Sequence, residues 1–392
     1  MPDTNGRVAL YANVGTTLTQ YDVDVDAATL TRRGSVTLPA NVQYAWPHVS
    51  RRFLYVATSD SASGMGRAGN THHVSAFRID PASGALSAHG APIPLPHRPI
   101  HMATDAASRH ILVAFNNPGA IRIYRINDDG TAGAEVMQPP EVDPGIFPHQ
   151  VLATPDNRLI ILVARGHDAA SGKPEEPGAL MVFRNDDGVL REQAKIAPGG
   201  GYGFGPRHLD FHPTQPWIYV SLERQAAVDM FVRDGDALEP APRFRETTLQ
   251  RPKDPAIHQP VGTVHVHPNG RFVYVANRAS DTVDGNGQKV WAGGENSIAV
   301  FAIDQRTGKP TVIQHADTHG IHPRTFHIDP SGRLMVVAHI MGMKVRRGDA
   351  IEEVPMRLSV FRIGEDGHLS FARAYDLETS GNGMWWMGMV AR

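Results

Sequence analysis

Five side chains able to grip and open a small anion recur at two fixed positions of a repeated segment. His149, Arg207 and Arg324 each stand second in an apolar run, and Glu223 and Arg278 each stand just past the run that follows. Guanidiniums gathered at one mouth bind carboxylate or phosphate bidentately and can stabilise an oxyanion. A glutamate beside them stays charged and suits orienting or activating water. A histidine one or two repeats away exchanges a proton near neutral pH. Together these types describe acyl-oxygen chemistry, with Glu223 or His149 as the base. Gln43, Arg165 and His339 are further candidates for the same wall. The chain has no Gly-x-Ser-x-Gly elbow and no phosphate loop, and the glycine-rich run Gly199 to Pro206 precedes a strand.

The elements that must position these groups are six copies of one unit: an apolar strand, a Pro-Asx-Gly-like turn and a second apolar strand. The copies begin at residues 42, 99, 148, 206, 261 and 323. PRTFHIDPSGRLMVVAH (Pro323 to His339) and VGTVHVHPNGRFVYVAN (Val261 to Asn277) are the clearest. Between copies, alternating segments such as VSAFRIDPASGALSA (Val74 to Ala88) turn on glycine-containing loops, as hairpins do. A seventh copy is split: Arg7 to Gly15 reads as its second strand and Asn382 to Val390 as its first. The periodicity predicts an all-β, seven-bladed β-propeller of four-stranded antiparallel blades. Its ring closes by pairing the two ends in one blade, and residues 1–392 form a single domain. The two runs of each copy are antiparallel neighbours, so the start of one lies beside the end of the other. The first column (Gln43, Ile100, His149, Arg207, Gly262, Arg324) and the second (Ser59, Asn116, Arg165, Glu223, Arg278, Ile340) should therefore share one rim of the central channel.

Composition narrows the partners. The 392 residues carry 38 Lys and Arg against 40 Asp and Glu, without the basic excess expected of a nucleic-acid binder. Zero cysteines exclude disulfides and thiolate chemistry. No long apolar stretch precedes the first strand, so no membrane segment and a cytoplasmic location are expected. No cofactor and no metal are expected either: Glu223, Asn116 and Asn277 could be read as cation ligands, but three arginines in the same mouth would repel the ion. Oligomeric state is not legible. His101, His212 and His267 read as turn or packing residues, and Asp156, Asp210 and Asp329 as turn or cap residues. A non-catalytic binding scaffold would instead use apolar rim residues, for which Val290, Trp291, Trp385 and Trp386 are the candidates.

Four segments carry a family resemblance that covers essentially the whole chain. They are the run Gly205 to Pro213, Tyr219 to Glu223, HPNGRFVYVANR (His267 to Arg278) and HPRTFHIDPSG (His322 to Gly332). The chain resembles the lactonase family of seven-bladed propellers, which includes bacterial 6-phosphogluconolactonases and fungal 3-carboxy-cis,cis-muconate cyclases. The resemblance implies a hydrolase acting on a small carboxylated or phosphorylated lactone, in carbohydrate or aromatic catabolism, with a lactonising or isomerising enzyme as the alternative. It assigns catalytic roles to His149, Arg207, Glu223 and Arg278. Four insertions, Gly64 to His73, Gly166 to Gly178, Asp284 to Asn296 and Met341 to Met356, depart from a minimal blade and should overhang the rim that carries the site.

Overall fold

The computed structural model describes residues 7–61, 67–170, 172–285, 287–379 and 381–392. Part of the insertion at 64–73 thus lies outside the described residues. Seven antiparallel sheets, each built on a four-strand path, succeed one another as blades. The innermost strands of blades 1 to 6 are Asn41–Pro47, Pro99–Thr104, Pro148–Ala153, Pro206–Phe211, Val261–Val266 and Pro323–Ile328. Blade 7 joins the chain ends: Met387–Ala391 lies innermost and pairs with Val8–Val14, Val8 opposite Ala391 and Ala12 opposite Met387. This pairing covers two edges that would otherwise offer unpaired backbone groups.

The C-terminal strand begins at Met387, five residues later than the expected Asn382. The Asn13 side-chain oxygen accepts the amides of Trp385 and Trp386 at 3.0 and 2.8 Å. Gly15 and Met384 donate to the carbonyls of Gly383 and Ile340. These bonds hold 382–386 as a loop, which lets Trp385 turn toward the channel mouth.

Both faces of each blade are apolar because each packs on a neighbour. Between blades 3 and 4, Leu159, Ile161 and Val163 meet Leu209, Ile218, Val220 and Phe231. Each such side chain contributes roughly 1.5–3 kcal/mol on burial. A tyrosine on the second strand fastens four of the blade junctions. Tyr11, Tyr55, Tyr219 and Tyr274, all fully buried, donate to the carbonyls of Gly84, Gly130, Gly308 and Gly367 at 2.6–3.0 Å. Each acceptor lies in the outer hairpin turn of the next blade, in a left-handed conformation (φ 75° to 87°) that glycine adopts without strain.

Two insertions form rim hairpins, Thr282–Asp284 with Lys289–Trp291 and Met343–Arg347 with Ala350–Val354. They share a small core of Ile321, Met343 and Val345 with Trp291 and Val354. Val290 is 2% exposed and Trp386 4%, so both serve packing and not an outward apolar surface. A groove of about 1250 Å³ on the opposite face, lined among others by Asp22, Arg51, Asn269, Asp329 and Arg333, contains none of the expected site residues.

Candidate active site

The first column sits on a recurring irregularity. In blades 1 to 6 the ladder between first and second strands slips near the start of the first strand: Pro148 pairs with Ala164 but Gln150 with Val163, and Pro206 with Leu222 but His208 with Ser221. The same slip lies between Val42 and Tyr44, Pro99 and His101, Val261 and Val264, and Pro323 and Thr325. Gln43, Ile100, His149, Arg207, Gly262 and Arg324 fall in these breaks. A bulge frees a residue from the ladder and re-aims its side chain. The second column is tied back by one repeated bond: the amides of Arg165, Glu223, Arg278 and Ile340 donate to the carbonyls of Phe147, Gly205, Pro260 and His322. Phe147 and His322 adopt φ of 54° and 56°, left-handed values uncommon for such side chains and often associated with functional sites.

Blades 3 to 5 converge on one carboxylate. Arg165 Nε and Arg278 Nη2 donate to opposite oxygens of Glu223, and Arg207 Nε lies 3.5 Å from Glu223 Oε1. Arg207 is 2% exposed, and its Nε and Nη1 have no hydrogen-bond partner among the described residues. Burial, with the Arg165 charge adding to it against an opposing effect of Tyr44, lowers Arg207 to about 9, so it remains protonated at neutral pH. Arg278 also donates to the Val261 carbonyl at 3.2 Å and meets His322 Nε2 at 2.9 Å. Burial and then Arg207, Arg324 and Arg165 push its affinity for the proton down.

His149, 8% exposed, has an unpartnered Nδ1. Burial first, then the charges of Arg207, Arg324, Arg165 and Arg278, hold its ring neutral. His208 stands beside it at 5.3 Å between ring centroids, and His101 beside His208 at 5.9 Å. Burial and the Arg207 charge keep both well below the ordinary histidine range. A neutral imidazole at a cationic mouth can accept a proton from water, and a guanidinium with nitrogens lacking hydrogen-bond partners can receive an anion.

The remaining expected residues divide. Arg324 extends over the Trp385 ring at 4.6 Å and bonds its carbonyl at 3.4 Å. Gln43 accepts from Arg98 Nε at 2.8 Å. His339 lies elsewhere: it is fully buried, with Nδ1 at 3.1 Å from the Arg357 carbonyl and its ring against Gly320. It precedes the second column by one residue, and successive strand residues point to opposite faces. Asp210 is not in a turn as expected. It lies within Pro206–Phe211 and accepts the Val266 amide at 2.9 Å, with His265 Nδ1 at 3.3 Å. Asp329 caps its turn through the amides of Ser331, Arg333 and Leu334. His212 and His267 bond the Gly270 and Gly332 carbonyls of the next blade, both at 2.8 Å, as packing residues do.

Two residues at the mouth, Arg98 and His322, belong to neither column. Each immediately precedes an inner strand, so a third aligned position, the residue before each repeat, would have found them. Among the described residues no group of three or more His, Asp or Glu is arranged to hold a metal ion, and no helix is long and apolar enough to cross a membrane.

Comparison with known proteins agrees with this architecture. The chain is 27% identical over 346 residues to a 6-phosphogluconolactonase of Bacillus subtilis, covering 85% of this chain and 87% of that one. It is 28% identical to a 6-phosphogluconolactonase of an Enterobacter species, over 79% and 82% of the two chains. Among solved structures, a periplasmic gluconolactonase of Pseudomonas aeruginosa superposes with a TM-score of 0.70 at 19% identity, covering 98% of this chain and 99% of that one. A Lactobacillus plantarum protein does so with 0.71 at 20%, over 98% and 99%. At such identities the structural likeness speaks for the fold alone. The family description "Lactonase, 7-bladed beta-propeller" matches residues 7–346, and the chain belongs to that family.

Proposed function

We propose that this protein hydrolyses a small lactone carrying a carboxylate or phosphate. The observation that carries the reading is Arg207, a buried guanidinium with two unpartnered nitrogens beside the neutral ring of His149. The names of the bacterial relatives support the same class of substrate.

In this reading the substrate anion and lactone carbonyl meet the guanidiniums of Arg207 and Arg278. Water attacks the carbonyl carbon as His149 takes its proton, and Arg207 faces the oxyanion that forms. The tetrahedral intermediate collapses by breaking the bond from the carbonyl carbon to the ring oxygen, which regains a proton from the imidazolium. One lactone and one water yield one hydroxy acid. Glu223 already receives guanidinium nitrogens on both oxygens, which suits bracing the arginines more than accepting a proton. The four neighbouring arginines oppose the imidazolium, and the bound substrate anion offsets their field.

The test is acid release from 6-phosphogluconolactone in a pH-stat, with background hydrolysis subtracted. His149→Ala should lower kcat about 100-fold or more. Arg207→Ala should lower kcat and raise KM together, because the same group meets the ground-state anion and the developing oxyanion. EDTA should leave the rate unchanged. Full activity in both variants would refute the scheme, and inhibition by EDTA reversed by calcium would replace it with a metal-dependent one.

A further inference from the structure

The cations of the channel mouth fall into two arcs. Blades 3 to 5 supply Arg165, Arg207 and Arg278, gathered on Glu223. Blades 6, 7, 1 and 2 supply Arg324, Trp385, Gln43 and Arg98, and among the described residues neither Arg98 nor Arg324 is in an ion pair. Arg98 is 7% exposed, its Nε is held by Gln43, and its Nη1 is buried without a partner. The guanidinium carbon of Arg324 stands over the Trp385 ring, 4.6 Å from its centre. In a ring of seven blades these arcs face each other across the channel.

A buried cation left without a counter-charge is costly, and proteins retain one where a ligand supplies the charge. The first arc has Glu223 for that purpose, whereas the second has none. Gln43 fixes one edge of the Arg98 fork and the indole fixes one face of Arg324, which leaves the remaining donors preorganised for a planar or tetrahedral oxyanion. Burial, and then the charges of Arg207 and Arg98, lower Arg324 to about 9, so each of these neighbours is felt across the mouth.

We propose that Arg98, Arg324 and Trp385 form a second anion subsite, and that the ligand of this protein carries two anionic groups, one for each arc. The inference rests on the lactonase reading only in seating the first anion at Arg207. Arg98 then selects dianions over monoanions, and the spacing between the ligand's charges is a specificity determinant.

The experiment is a calorimetric titration at low ionic strength with adipate and with hexanoate, six-carbon acids bearing two charges and one. The wild-type protein should bind adipate at least tenfold more tightly than hexanoate. Arg98→Met should abolish that preference while changing hexanoate affinity less than twofold. Arg324→Met, a subsite change in a different blade, should do the same and decides the matter if Arg98→Met fails to fold by circular dichroism. Equal affinity for the two acids in the wild type would overturn the proposal, as would a dianion preference that survives in a folded variant. The titration reads binding alone. A protein that opens no lactone can still pass it, and one that opens lactones can still fail it.

Discussion

Glu223→Gln tests the bracing role of the carboxylate, because it removes one negative charge and almost no volume. In the native site Arg165 and Arg278 donate to that carboxylate and Arg207 Nε lies 3.5 Å away. The glutamate side chain is 10% exposed and the three guanidiniums 2–14%, so solvent screens them poorly. Taking one partner from a buried ionic group costs roughly 3–5 kcal/mol. The amide keeps an acceptor but leaves the arginines facing one another. Stability in urea should therefore fall by that amount at low salt. Inorganic phosphate should restore more stability to the variant than to the wild type, because the anion replaces the missing charge. At a phosphate concentration 100 times its Kd the restoration is about 2.7 kcal/mol. Turnover should drop about 100-fold as the arginines lose alignment. The measurements are urea unfolding with and without phosphate, and the pH-stat rate. A variant within 1 kcal/mol of the wild type, with no added response to phosphate, would falsify the bracing role.

Other outcomes follow from the same structure. Because burial and four arginines hold His149 below the ordinary histidine range, kcat/KM should stay flat from pH 8 to 5.5, where a base of ordinary pKa 6.5 would lose about tenfold; a tenfold fall would remove His149 as the base. His339 is lowered from 6.5 to about 4, chiefly by burial. Above pH 6.5 both folded and unfolded states leave it neutral. Between 6.5 and 4 only the unfolded state takes the proton, so stability is lost as pH falls, by about 2–3 kcal/mol at pH 4.5. His339→Gln should remove that share of the acid sensitivity in urea titrations, and an unchanged pH dependence would refute the assignment. Tyr219→Phe deletes the bond to Gly308 and leaves a buried carbonyl short of a donor; urea unfolding should show a loss of about 1–2 kcal/mol, and no loss would deny the junction bond its role.

Much of the ring is readable before any coordinates, because each blade repeats one pattern and the split copy has a matching half at each end. The gathering of Arg165, Arg207, Glu223 and Arg278 follows from alignment of the copies and the antiparallel pairing of two strands. His339 shows where that reading fails: a residue one place from the second column points the other way, a distinction that column counting does not carry. Arg98 and His322 precede their strands, outside the aligned frame. Asp210 resembles many turn aspartates in its local sequence, and only its neighbour in blade 5, His265, reveals its place on the channel wall. The Trp385 loop depends on Asn13, a contact across 372 residues that no local pattern encodes.

The ladder slips that deliver Gln43, His149, Arg207 and Arg324 also separate two kinds of constraint on the chain. Strand residues in register must satisfy a partner strand and a neighbouring blade, so substitutions there disturb packing on both sides. A residue in the slip has no opposite number in the ladder. Blade 2 places isoleucine there and blade 5 glycine, with the same pairing resumed beyond. The mouth is thus a ring of exchangeable positions mounted on an inflexible frame. Descendants of one propeller can acquire new ligand chemistry by changing six side chains while the seven sheets keep their architecture.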